Sequence, residues 1–406
     1  MAEFGWIDFS PTHRRSIGAI LDAFGTEGMV DELGIGIIRD ALADQLFPGI
    51  NTIQTRAKYF FLVPYILYEY QCLSPARRRN ISPEDFLKKR ENETMWALAE
   101  KYPPRGKDGV IGITKHKPQT LIRRPSAIYW HGLEVYGFIK HGGLGIESFL
   151  RQCQDGWESL MAEAQGDDEE NKDTPDAEYE SLFRLRVTYD KNWSDNLSMD
   201  LTRNEANQLS DRMVQVGEGK LVGELLSNAD LQKTFFDSES FQDFAKAAQN
   251  KSAPESIKKL LVLSHDFSEL MYGAHIAYNC RLQKQKFNRS HHAALWKEWA
   301  GSLKESMIDY AGFTPEKLLE VAPNVKSYTW HFIEAWWDYI KSEKNDVAMR
   351  DSLIENQERF NKKGKARICW NKTEDVMEEG WLGLERLEYR IYQAQRILDD
   401  IIKAQK

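Results

Sequence analysis

Apolar residues in this chain recur every three or four positions almost wherever they recur at all, and that period commits the chain to helices. Val30, Leu33, Ile37, Ile38, Leu42 and Leu46 keep the spacing until Pro48-Gly49 breaks it. Ile17, Ile20, Leu21 and Phe24 keep it behind Ser10-Pro11, a cap followed by a proline at the first helical position. Only Leu182 to Tyr189 alternates as a half-buried strand does. The spacing therefore predicts a mainly α fold. The most apolar run, Tyr59 to Leu67 (Y-F-F-L-V-P-Y-I-L), is too short to cross a bilayer and reads as a buried helix bent at Pro64.

Start and stop signals place the other helices. Asn51 or Thr52 heads one that runs through Tyr70, and Ser82-Pro83-Glu84-Asp85 heads one towards Tyr102. Ser126 caps one that Gly137 ends, and Thr202 with Glu205 three residues on is a capping box. Helices are predicted near 203–214, 218–227, 238–249, 254–283, 292–310, 316–321, 327–342 and 346–361. Leu384, Leu387, Ile391, Ala394, Leu398 and Ile401 form a final coiled-coil-like seam.

Residues 161–180 hold nine acidic side chains and one lysine, too polar to offset the entropy of ordering. They read as an acidic linker between an N-terminal helical domain, 1–160, and a C-terminal helical domain, 181–406. The run's net charge of -8 equals that of the whole 406-residue chain, so the remainder is close to neutral. A uniformly basic nucleic-acid coat is excluded, and a local basic face is not.

Motifs for chemistry are missing. No G-x-x-x-x-G-K-[ST] loop occurs, and the G-I-G at Gly34 to Gly36 sits in a helical pattern with no strand before it. Cys72, Cys153, Cys280 and Cys369 are far apart, which fits core thiols in a reducing compartment rather than a zinc site. With no basic or apolar leader over Met1 to Ser10, a cytoplasmic location is predicted. His291 and His292 are adjacent and diverge by about 100° on a helix. His275 with Asp266, or His265 with Glu269, share a face without a metal-ligand pattern. G-x-S-x-G is absent. The reading assigns no catalytic residue, no metal and no cofactor. Trp330, Phe332, Trp336, Trp337 and Tyr339 read as core or subunit interface ahead of a base-stacking platform.

The basic tract is the strongest lead. Arg77 to Arg124 carries 13 Lys and Arg against six Asp and Glu. Arg77, Arg78, Arg79, Lys88, Lys89, Arg105, Lys107, Lys115, Lys117, Arg123 and Arg124 are its candidate phosphate contacts. Arg123-Arg124 precede the helix capped by Ser126, and a helix N-terminus beside two guanidiniums suits a phosphate. The order helix, glycine-bearing turn, helix across 77–140 resembles a helix-turn-helix or winged-helix part. Ser126, Tyr129, Trp130 and His131 would then face a groove. The competing reading makes Ile128, Tyr129, Trp130 and Leu133 core and the basic residues a solvated face, or a surface for an acidic protein partner. A second cluster, Arg359, Lys362, Lys363, Lys365 and Arg367, with Arg386, Arg390 and Arg396, is interleaved with acids and reads as salt-bridged surface.

G-W-I-D-F-S (Gly5 to Ser10), V-D-E-L-G-I-G-I-I-R-D-A (Val30 to Ala41), L-F-P-G (Leu46 to Gly49) and T-I-Q-T-R-A-K-Y-F (Thr52 to Phe60) resemble an uncharacterised bacterial family of about this length. R-R-P-S-A-I-Y-W-H-G-L (Arg123 to Leu133) and the closing L-E-Y-R and I-L-D-D-I look like its later landmarks. The resemblance implies a bacterial protein encoded beside DNA-acting and antiphage genes, and supplies no catalytic residues. Together these readings predict a non-enzymatic, nucleic-acid-associated subunit of an antiphage assembly. It would contact DNA or RNA phosphates through 77–124 and other protein subunits of the same assembly, but no membrane. The alternatives are a metal-dependent nuclease or other hydrolase with a dispersed site, and a purely structural adaptor. Binding without chemistry would be salt-sensitive and indifferent to chelation, whereas a nuclease would lose cleavage on chelation.

Overall fold

A computed structural model describes residues 31–103, 108–139, 145–151, 193–282, 289–344, 346–368 and 381–406. The helix predicted after Ser10, the acidic linker 161–180, the strand Leu182 to Tyr189, and Arg105 and Lys107 lie outside the described residues. The fold is mainly α, with no strand among the described residues. No described helix is long and apolar enough to cross a membrane. The chain divides into two compact units, each assembled from separated stretches. One takes Met1–Leu42, Phe241–Gln249 and Lys258–Tyr389, and the other Ala43–Ser240, Asn250–Ile257 and Arg390–Lys406.

The second of these units is built on the apolar run. Tyr59–Gln71 is a helix whose first nine residues are all buried, and helices Pro83–Lys101 and Pro125–Val135 both pack on it. Phe60 meets Tyr129 and Tyr136 edge-on at 5.0 and 5.4 Å, an arrangement that aromatic quadrupoles favour. Gly132 lets the backbones close, because a Cβ there would stand 2.5 Å from the Gly49 carbonyl oxygen. Helix Arg203–Val216 begins with the expected capping box and packs on the last helix, Ile391–Gln405.

In the other unit, Trp336 stacks on Phe332 and Tyr339, while Trp337 is met by Phe313 and Tyr310. Phe332, Trp336, Trp337 and Tyr339 of helix Ser327–Lys341 are therefore core, and Trp330 is half-buried. Helices Ser327–Lys341 and Val347–Lys362 pack as neighbours. Gly34 is not in a helix: it sits at φ +71°, and helix Gly36–Leu46 starts only after it. Asp31 caps that helix by accepting the Ile35 and Gly36 N–H groups at 2.9 and 2.8 Å.

Other boundaries also moved, each for a local reason. Asn51 Oδ1 accepts the N–H groups of Ile53 and Gln54 at 3.0 and 3.1 Å, making a turn, and the helix waits until Tyr59. The final helix starts at Ile391, not Leu384, because Tyr389 and Arg390 have φ of 43° and 69°. The helix Ala229–Asp237, capped by Asn228, was not anticipated.

Segment 51–58 is the polar hub of its unit. Arg56 Nε reaches both carboxylate oxygens of Asp400 at 2.9 Å, and its other nitrogens reach the Asp108 and Met199 carbonyls and Asp200. Lys58 holds the buried Glu205 through both oxygens at 2.8 Å, with Tyr65 at 3.0 Å. Tyr129 Oη accepts the N–H groups of Thr55 and Arg56 and donates to the Arg56 carbonyl. Deleting one partner of such a pair strands a buried charge. Asp400→Ala is expected to cost about 3–5 kcal/mol in a urea unfolding titration, and a loss under about 1 kcal/mol would show that the pair is not a structural anchor.

Candidate nucleic-acid interface

The basic tract folds as two helices, Pro75–Arg79 and Pro83–Lys101, with a loop laid along the second. Ser82 caps Pro83–Lys101 by accepting the Asp85 N–H at 3.1 Å, with Pro83 in the first turn. The loop that follows runs antiparallel to this helix: Leu121 N–H donates to Asn92 Oδ1 at 2.8 Å, and Trp96 Nε1 donates to the Gln119 carbonyl at 2.9 Å. That register seats the Lys117 ammonium 5.8 Å from the Trp96 ring centroid. Arg123 follows two residues after Leu121 in the same loop. Helical residues 88 to 96 give this seam a length of about 12 Å.

Exposed along the seam are Lys88, Lys117 and Arg123, with Ile122 84% exposed beside them. Lys115 is half-buried in the same loop. Among the described residues none of these four cations has a carboxylate partner. Lys89 is exposed and stands 4.0 Å from Glu93. Arg90 is committed to Glu69 and Glu93 at 2.7 and 2.9 Å. Arg77 and Arg79 are exposed and Arg78 half-buried on the separate five-residue helix Pro75–Arg79. His131 is exposed on helix Pro125–Val135.

The predicted phosphate subsite at that helix start is already filled. Ser126 is not its cap: Arg124 takes the cap position, Pro125 the first turn, and Ser126 is fully buried. Glu91, on the neighbouring helix, accepts the Ser126 N–H at 2.6 Å and stands 3.9 Å from Arg124. A carboxylate of the protein therefore occupies the place that an anion would take. Trp130 is buried as well, packed edge-on against Phe149 at 5.1 Å, and cannot face a groove. Two of the proposed contact residues, Ser126 and Trp130, are core because their helix turns its apolar face inward. Arg124 stands beside Glu91, where its charge favours the carboxylate form.

Trp96 escaped the sequence reading, which counted charges. Its signal was an indole seven residues after Lys89 on the same helix. Among the described residues the histidines named in the sequence form no shared site. His265 Nδ1 pairs with Asp266 at 2.8 Å, Asp266 also accepts the Ile308 and Asp309 N–H groups, and Glu269 holds Arg386. Burial lowers the His275 pKa, and its Nδ1 sits 2.9 Å from the Met271 carbonyl oxygen. Among the described residues no three His, Cys, Asp or Glu side chains converge to hold a metal.

Residues 1–294 match the family described as "Family of unknown function (DUF6361)". The chain belongs to that family. No curated protein and no solved structure matches it. The segments that carried its resemblance have structural duties in this DUF6361 chain. Within D-E-L-G-I-G, Asp31 caps a helix, and a Cβ on Gly34 would stand 2.8 Å from Asn361 Oδ1. Within T-I-Q-T-R-A-K, Arg56 and Lys58 make the buried pairs, and Gln54 donates to the Gly49 carbonyl at 3.0 Å.

Burial raises the Glu91 pKa from 4.5 to about 7, against the Ser126 N–H and the Arg124 charge. Between those values the folded chain keeps a proton that the unfolded chain releases, so stability falls as pH rises through the window. Stability measured from pH 5 to 8 is expected to drop by on the order of 3 kcal/mol more in the parent than in Glu91→Gln. Equal slopes would contradict the assigned burial.

Proposed function

We propose that this chain is a nucleic-acid-contacting, non-enzymatic subunit of a multiprotein assembly, using the seam between helix Pro83–Lys101 and the loop 108–124. Its bacterial, antiphage setting is carried by the resemblance of the N-terminal block alone. The observation that carries the binding role is the row of cations at Lys88, Lys117 and Arg123, left without carboxylate partners among the described residues in a chain that is acidic overall. Nearby Arg90 is paired with Glu69 at 2.7 Å, and Arg124 lies 3.9 Å from Glu91. A chain that pairs its structural arginines and leaves these three cations to solvent supports a polyanion ligand there. The cation–indole pair at Lys117 and Trp96 adds an aromatic ring at the same place, suited to an unpaired base. Duplex would be held by phosphates alone, so the seam favours single strands.

Phosphate contacts release counterions, which makes affinity fall linearly with salt on logarithmic axes. Fluorescence anisotropy with a labelled single-stranded oligonucleotide is expected to show that slope with chelator present. Lys117→Glu with Arg123→Glu should weaken binding at least ten-fold with an unchanged melting temperature. By contrast Arg124→Glu should lower the melting temperature, because it sets two carboxylates together. Affinity that ignores both salt and the double variant would remove the proposed interface.

A further inference from the structure

A second site lies in the unit that contains Lys258–Tyr389. Helices Arg289–Ser306 and Ser327–Lys341 border a cleft of about 490 Å³, within the roughly 300–1,000 Å³ usual for small-molecule sites. Its walls are aromatic: Trp296, Trp299, Tyr310 and Tyr339. Lys297, Lys304 and Lys344 also line it, against one acid, Glu343, which pairs with Lys304. Lys297 and Lys344 are exposed and have no carboxylate partner among the described residues. Ala300 and Gly301 leave one side low, and a Cβ on Gly301 would meet nothing within 4 Å.

Three polar atoms of the lining carry the argument further. Trp296 Nε1, Tyr310 Oη and Tyr339 Oη have no hydrogen-bond partner among the described residues. By contrast Trp299 Nε1 and Trp336 Nε1 are spent on the Glu269 and Leu270 carbonyls. Indole and phenol groups normally find a partner, and these three, on residues that line the cleft, are not spent on the protein.

We propose that this cleft binds a nucleotide, either free or as the terminal nucleotide of a strand. The planar base answers to the half-buried Tyr310 ring beside the buried aromatic floor of Trp296, Trp299 and Tyr339, the sugar hydroxyls to the unpartnered indole and phenol groups, and the phosphates to Lys297 and Lys344. A lone carboxylate ligand would leave the second ammonium unused, and a purely apolar ligand would bury three polar atoms without partners. This site lies in a different unit from the seam and stands without it.

Equilibrium dialysis of the full chain against ATP, AMP, a 5′-phosphorylated oligonucleotide and tripolyphosphate tests the assignment. Saturable binding of ATP and AMP is expected, with tripolyphosphate at least ten-fold weaker than ATP. Binding by the oligonucleotide alone would identify the strand end as the ligand. Lys297→Glu with Lys344→Glu should weaken binding at least ten-fold, and Gly301→Trp, which fills open space, should abolish it. Both variants change exposed positions and should melt as the parent does, while Lys117→Glu with Arg123→Glu should bind nucleotide unchanged. Three results would overturn the site: no saturable binding of any nucleotide, equal binding of ATP and tripolyphosphate, or full binding by both cleft variants.

Discussion

A charge taken out of water must be paired, and the unit built on Tyr59–Gln71 is organised by that constraint. Segment 51–58 carries an arginine and a lysine into the interior, where each meets a buried carboxylate from far along the chain: Asp400 for Arg56 and Glu205 for Lys58. Neither pair is worth much in net free energy, because desolvation consumes most of the attraction. Their value is specificity. A buried ion pair tolerates one register. Glu205 shows the economy of the arrangement, since one carboxylate completes a capping box, accepts the Lys58 ammonium and takes the Tyr65 hydroxyl.

The same constraint sorts the basic tract into two populations. Arg90 and Arg124 are structural, each drawn to a glutamate on or beside its own helix. Lys88, Lys117 and Arg123 point to solvent, where an unpaired cation costs little and remains able to exchange water for phosphate. Proximity in sequence concealed the division: Arg123 and Arg124 are neighbours, yet one is exposed and the other is fixed against Glu91.

Helix content was legible because it rests on local period and local caps. Helix Glu316–Val321 falls where the spacing placed it, and Ser82 and Thr202 cap the helices they were expected to cap. What was not legible depended on partners distant in sequence. Nothing near Ser126 announces that Glu91, thirty-five positions earlier, will take its N–H. Nothing near Leu384 announces that the chain turns through the left-handed region at Tyr389 and Arg390. Tyr389 is tied there to the Ser264 carbonyl and Arg390 to that of Ile50, at 2.8 and 2.6 Å. The candidate site was half legible: charge count found the helix and the loop, but only folding shows which cations are spoken for.

The placement of Glu91 has a consequence for how the seam works. A helix N-terminus is the most general anion site that a protein possesses, and here it is closed by a carboxylate the chain supplies itself. The phosphates of any polyanion on this face must therefore be held by side-chain ammonium and guanidinium groups. Such contacts are mobile, additive and screened by salt, and they read charge density rather than sequence. On the proposed reading, such a surface would hold nucleic acid by charge and leave selectivity to other parts of an assembly.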